Sequence, residues 1–120
     1  MKIKIHETSA GRIAEAIPDK NVINDVEDAL DLIAESGLQD ASKIVLYENQ
    51  VPENFFDLKT GLAGEMLQKF SNYRLQLAII GDFGKFGSRS LQDFIRECNR
   101  GRLVYFAPSL EEALKRLGGS

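Results

Sequence analysis

The 120 residues are 43% apolar and 28% charged, a length with room for one hydrophobic core and a balance that excludes disordered and fibrous classes. The net charge of −3 argues against a nucleic-acid surface, and no apolar run approaches the roughly 20 residues of a membrane helix. One Cys and one His exclude an internal disulfide and a Cys/His zinc site, so no metal or cofactor is expected.

In chain order, Lys2-Ile3-Lys4-Ile5-His6 alternates with period two, the pattern of a strand with one buried face rather than of a signal-peptide core. Thr8-Ser9-Ala10-Gly11 is turn chemistry and Arg12 to Ile17 reads as the returning strand of a hairpin, ended by Pro18. The first helix is expected to start with Asn24 as its cap, to bury Val26, Ala29, Leu30 and Ile33, and to stop at Gly37. Its acidic residues are read as a solvated face that complements the helix dipole.

Ile44 to Tyr47 is a buried strand, followed by a long connection, Glu48 to Lys59, that holds Pro52 and Phe55-Phe56. A second helix is expected from Thr60 or Gly61 to Asn72, and a fourth strand from Leu75 to Ile80. Beyond Gly81-Asp82-Phe83-Gly84, Ser88 or Ser90 caps a third helix with the apolar stripe Leu91, Phe94, Ile95 and Cys98. Cys98 on that stripe reads as a buried structural thiol. Leu103 to Phe106 is the last strand, and Ser109 opens a fourth helix that buries Leu110, Ala113, Leu114 and Leu117 and frays at Gly118-Gly119. The order β-β-α-β-α-β-α-β-α predicts a single α/β domain over residues 1–120, one mixed and mostly parallel sheet packed with helices.

Ligands and partners of open α/β sheets gather at the carboxyl ends of the strands. Two connections at that end place polar groups beside a helix N-terminus, and they supply the candidate residues: Phe55, Phe56, Asp57, Lys59, Thr60 and Gly61 in one, Asp82, Phe83 and Arg89 in the other. Catalytic signatures are missing. Lys59-Thr60 lacks the upstream glycines of a P-loop, Gly81-x-x-Gly84-x-x-Gly87 is not the dinucleotide fingerprint, and no nucleophile–base constellation surrounds the carboxylates. His6 is placed on the polar face of the hairpin, and the basic pairs Lys85/Arg89 and Arg100/Arg102 form no stacking platform for nucleic acid.

The run from Phe55 to Phe70, with Gly81-Asp82-Phe83 and the stretch from Ser90 to Asn99, resembles the bacterial domain-of-unknown-function family numbered four-one-eight-zero over nearly the whole chain. That resemblance implies a small bacterial protein and supplies no activity. The element order also resembles STAS domains of the anti-sigma-factor-antagonist type, which carry Asp-Ser-Ser-Gly-Leu at the start of the second helix and are phosphorylated on the second serine. The corresponding stretch is Leu58-Lys59-Thr60-Gly61-Leu62, in which Gly61 and Leu62 match and Thr60 keeps a hydroxyl at the acceptor position. This likeness implies a STAS-like fold and a candidate phospho-acceptor at Thr60.

The resulting expectation is a non-enzymatic, cytoplasmic, STAS-like interaction or regulatory module. It would act on an unidentified protein partner through the loop and N-terminus of the second helix. The alternative is a small-ligand or anion-binding domain using the same rim. A pocket enclosed by Asp57, Lys59, Thr60, Asp82 and Arg89 would favour the ligand class, and a convex surface displaying Phe55 or Phe56 the partner class. No nucleic acid and no membrane is expected as partner, and a homo-oligomer is compatible with the sequence.

Overall fold

The computed structural model describes residues 2–17 and 23–118; the expected stop at Pro18 and the fraying at Gly119 lie outside the described residues. Five strands and four helices follow in the expected order: β1 (Ile3–Thr8), β2 (Gly11–Ala16), α1 (Val26–Leu38), β3 (Ala41–Tyr47), α2 (Leu62–Asn72), β4 (Gln76–Ile80), α3 (Arg89–Arg100), β5 (Val104–Ala107) and α4 (Leu110–Leu117). The strands form one sheet in the sequential order β1-β2-β3-β4-β5, with β1 antiparallel to β2 and the rest parallel.

Sequential order has a consequence for layering. Crossovers of one hand that always step in the same direction deposit their helices on the same side. Accordingly α1, α2 and α3 share one face, where Leu32, Met66, Phe70 and Leu91 pack with Ala14, Ile44, Leu46, Leu77, Ile79 and Phe106. Among the described residues the opposite face carries one helix, α4, whose Ala113 and Leu117 pack on Ile13, Val45, Ala78, Ile80, Tyr105 and Ala107. Strands buried on both faces read as continuous apolar runs, which explains Ile44 to Leu46 and Leu77 to Ile80.

Several boundaries differ from the sequence reading. Asp25, not Asn24, caps α1: its carboxylate accepts the Asp28 amide at 2.9 Å, and the Asp28 carboxylate in turn accepts the Asn24 amide at 2.9 Å. The cap thus falls one residue later, and the returning bond goes to the residue before it. Gly37 lies inside α1, and the left-handed turn after the helix falls on Asp40 (φ 59°), a residue type that tolerates it. Ser88 caps α3, and Ser109 caps α4 as expected. The last strand starts at Val104, leaving Leu103 49% exposed. Leu110 and Leu114 pack at the edge of their cluster rather than inside it.

The outer edge of β5 is closed by a side chain. Asn99 accepts the Phe106 amide at 2.7 Å and donates to the Phe106 carbonyl at 3.3 Å, standing in for a further strand.

Candidate functional site

The connection between β3 and α2 is not an extended loop. It folds into three short 3-10 turns at Glu48–Gln50, Glu53–Phe56 and Leu58–Thr60, a compact form that satisfies its backbone locally. Gln50 anchors it. Its buried amide donates to the carbonyls of Ala16 (3.2 Å) and Ile17 (3.0 Å), and its carbonyl oxygen accepts the Tyr47 amide at 2.9 Å. The end of β2 is thereby tied to the connection by one neutral side chain whose polar atoms are all engaged.

Phe55 and Phe56 are core residues, at 2% and 7% exposure, and so do not form a displayed patch. They begin an aromatic chain: Phe55 meets Phe56 edge-on at 5.0 Å, Phe56 stacks on Phe86 at 4.9 Å and lies 5.8 Å from Phe83, and Phe83 meets Phe106 edge-on at 5.1 Å. These contacts pin the β3–α2 connection to the β4–α3 loop. Gln92 secures that loop from α3, donating to the carbonyls of Phe83 (2.7 Å) and Phe86 (3.0 Å).

The remaining expected residues of the β3–α2 connection contact one another through its turns. Asp57 accepts the Lys59 amide at 3.2 Å and caps the third 3-10 turn. The Thr60 hydroxyl lies 2.8 Å from the Asn54 carbonyl and 2.9 Å from that of Asp57, and accepts the Leu62 amide at 3.2 Å. Gly61 turns left-handed (φ 76°) into α2, which suits glycine. Lys59, Asp82 and Arg89 are exposed.

What the rim does enclose is a groove of about 630 Å³. Its walls include Phe56 and Asp57 from the expected set, together with Glu48, Glu53, Lys85 and Phe86. Lys59, Thr60, Asp82 and Arg89 do not line it, so this groove is not the five-residue pocket expected for the ligand class. Glu48 is the hinge of the arrangement. Its carboxylate accepts the Asp82 amide at 3.1 Å and pairs with the Lys85 ammonium, which itself sits 5.4 Å from the centre of the Phe86 ring. A Cβ at position 81 would lie 2.5 Å from a Glu48 carboxylate oxygen and 2.7 Å from its Cβ, which is why glycine ends β4.

A second polar constellation escaped the sequence reading. Glu15 on β2 is 5% exposed, and its carboxylate joins His6 Nε2 at 2.8 Å to the Tyr47 hydroxyl at 2.6 Å. Burial first, then the hydrogen bond and charge of Glu15, raises the Tyr47 phenol well above its ordinary value. His6 does lie on the polar side of the hairpin; the missed element was its partner. The available signal was a carboxylate between alanines in a run buried on both faces.

Cys98 is half-buried rather than enclosed, and burial, followed by the charge of Glu97, raises its thiol pKa. Among the described residues no group of three His, Cys, Asp or Glu side chains is placed to hold a metal ion, and no helix is long and apolar enough to cross a membrane.

The chain belongs to the domain-of-unknown-function family DUF4180, whose profile matches residues 8–117. No match is found among curated proteins or among solved structures.

Proposed function

We propose that this member of DUF4180 is a non-enzymatic bacterial interaction module that receives a basic side chain of a protein partner in its rim groove. The supporting observation is the position of Lys85. The groove's own ammonium group lies against Glu48 and above the Phe86 ring, while Glu53 and Asp57 add two further carboxylates to the wall. A stacked aromatic pair under a carboxylate rim is favourable surroundings for a lysine or arginine head, through ion pairing and attraction to the ring face. Three carboxylates against one lysine favour a cation over an anion. The partner's residue would add to this set or displace Lys85 from Glu48. A cytoplasmic setting, without nucleic acid or membrane as partner, goes with this reading.

The test is calorimetric titration with short peptides that carry Lys or Arg, against the same peptides with Gln in those places. Basic peptides are expected to bind. Replacing Glu53 and Asp57 together (Glu53→Gln with Asp57→Asn) should weaken them about tenfold, the factor that about 1.4 kcal/mol carries. Lys85→Met should strengthen them by vacating Glu48. Equal binding of basic and neutral peptides, or of both protein variants, would remove the reading.

A STAS-like regulatory role for Thr60 is a second proposal, favoured by its hydroxyl contacts. That hydroxyl holds the carbonyls of Asn54 and Asp57, the segment that supplies Phe56 and Asp57 to the groove. A phosphate there would replace the donor with a dianion and rearrange that wall. Thr60→Asp should therefore alter peptide affinity where Thr60→Ser does not; identical affinities for the two would leave Thr60 as a turn-forming residue only.

A further inference from the structure

At the opposite end of the sheet from the rim, a second groove of about 350 Å³ runs between α2 and α3. Its size falls at the lower end of the range of about 300–1,000 Å³ found for small-molecule sites. One wall is the α2 stripe Gly64, Leu67, Gln68 and Ser71; the other is the α3 stripe Phe94, Glu97, Cys98 and Gly101. Both stripes follow the i, i+3, i+4, i+7 spacing of a single helix face. Arg102, Leu103 and Val104 close one end.

Gly64 is the informative residue. Glycine inside a helix is unfavourable relative to alanine, and is usually explained by close packing of a neighbour. No such neighbour exists here: a Cβ at position 64 would meet nothing within 4 Å. The space that a side chain would take is the groove itself. The charges around it are also unbalanced. Glu97 pairs with Arg100 at 3.3 Å, whereas the Arg102 guanidinium is exposed and has no hydrogen bond or ion pair among the described residues. Leu103, 49% exposed, extends the apolar lining to the mouth.

We infer that this groove binds a small amphiphilic carboxylate, its apolar body between α2 and α3 and its carboxylate on Arg102. Leu67, Phe70, Leu75, Phe94 and Leu103 give the body of such a ligand an apolar lining, and the planar guanidinium suits a carboxylate through paired hydrogen bonds. This site is independent of the rim groove, which lies at the other end of the strands.

Decanoate is a suitable probe, with decanol as its neutral counterpart, and Cys98 in the groove wall is a built-in reporter. Decanoate, below its micelle concentration, is expected to bind in calorimetry and to slow thiol labelling of Cys98, and to bind more tightly than decanol. Gly64→Leu should abolish both effects without lowering the melting temperature. Arg102→Gln, an exposed change that gives the same reading should Gly64→Leu fold poorly, should cut decanoate affinity about tenfold and leave decanol unchanged. Three results would each overturn the inference. One is no decanoate binding or no Cys98 protection, and another is equal affinity of decanoate for wild type and Gly64→Leu. The third is a dimer in analytical ultracentrifugation that Gly64→Leu dissociates, which would make the occupant a second copy of the chain.

Discussion

The two faces of the sheet combine apolar packing and polar contacts in different proportions. On one face three helices lay apolar side chains against Leu46, Leu77 and Ile79, and the stabilising quantity is area removed from water. On the other, α4 crosses β4 and β5 and ends near β1 and β3, where Lys43 donates to the Leu117 carbonyl and Gly118 approaches Thr8. Beside that helix, near the carboxyl ends of β2 and β3, Tyr47 packs on the α4 cluster and the contacts turn polar, with Glu15 joining Tyr47 to His6 on the antiparallel β1. Under the three helices shape complementarity holds the sheet together; on the α4 face a carboxylate shared between two donors adds to it. The lesson is that a buried carboxylate is accommodated beside an apolar cluster when both its oxygens are engaged.

The largest effect should come from the helix-covered face. Ile79→Ala and Leu46→Ala are each expected to cost about 2–5 kcal/mol, since both side chains are enclosed and leave a cavity. Urea midpoints measure this, and losses below about 1 kcal/mol would indicate a much softer core than these contacts imply.

Next comes the polar corner. Tyr47→Phe removes a hydrogen bond to a charged group, worth about 1.5–3 kcal/mol, while keeping the ring. The phenol is only partly covered, so the lower end of that range is expected. A variant as stable as wild type would show that the Glu15 carboxylate is satisfied without it.

The same contact makes stability depend on pH. In the unfolded chain a tyrosine ionises near pH 10, but the folded state holds the Tyr47 proton to higher pH. Its stabilisation is therefore complete below about pH 10 and is lost as pH rises further, because the unfolded chain releases a proton that the folded one retains. Urea unfolding at pH 9 and pH 11 should show a steeper fall for wild type than for Tyr47→Phe; parallel curves would place the alkaline sensitivity elsewhere.

Smallest and most discriminating are the caps. Ser88→Ala on α3 and Ser109→Ala on α4 each remove one bond to a helix-end amide, at about 1 kcal/mol. Equal losses are expected. A distinctly larger loss at Ser109 would show that the second face depends on its single helix more than the first depends on any one of three.

Much of the fold was legible in the sequence because it was written in local periodicity. Alternation gave β1, apolar runs gave β3 and β4, and Ser109 with its acidic box marked the start of α4. Errors clustered where two adjacent residues were chemically equivalent, as with Asn24 and Asp25, since only the path of the backbone decides which one faces the open amides. The candidate site was legible as a region, the carboxyl rim, but not as a set of side chains. Phe55 and Phe56 carry no mark that separates a core anchor from a docking patch; that depends on Phe83 and Phe86 arriving from another loop.

By itself, then, the sequence determined the element order, the helix faces and the family, because each is encoded within a dozen neighbouring residues or in one recognisable run. Tertiary structure alone decided the sequential strand order, the placing of three helices on one face and one on the other, and the meetings of Glu15 with His6 and Tyr47 and of Glu48 with Lys85. Those depend on pairs 9 to 37 residues apart, whose contact follows from how the strands align and not from any spacing along the chain.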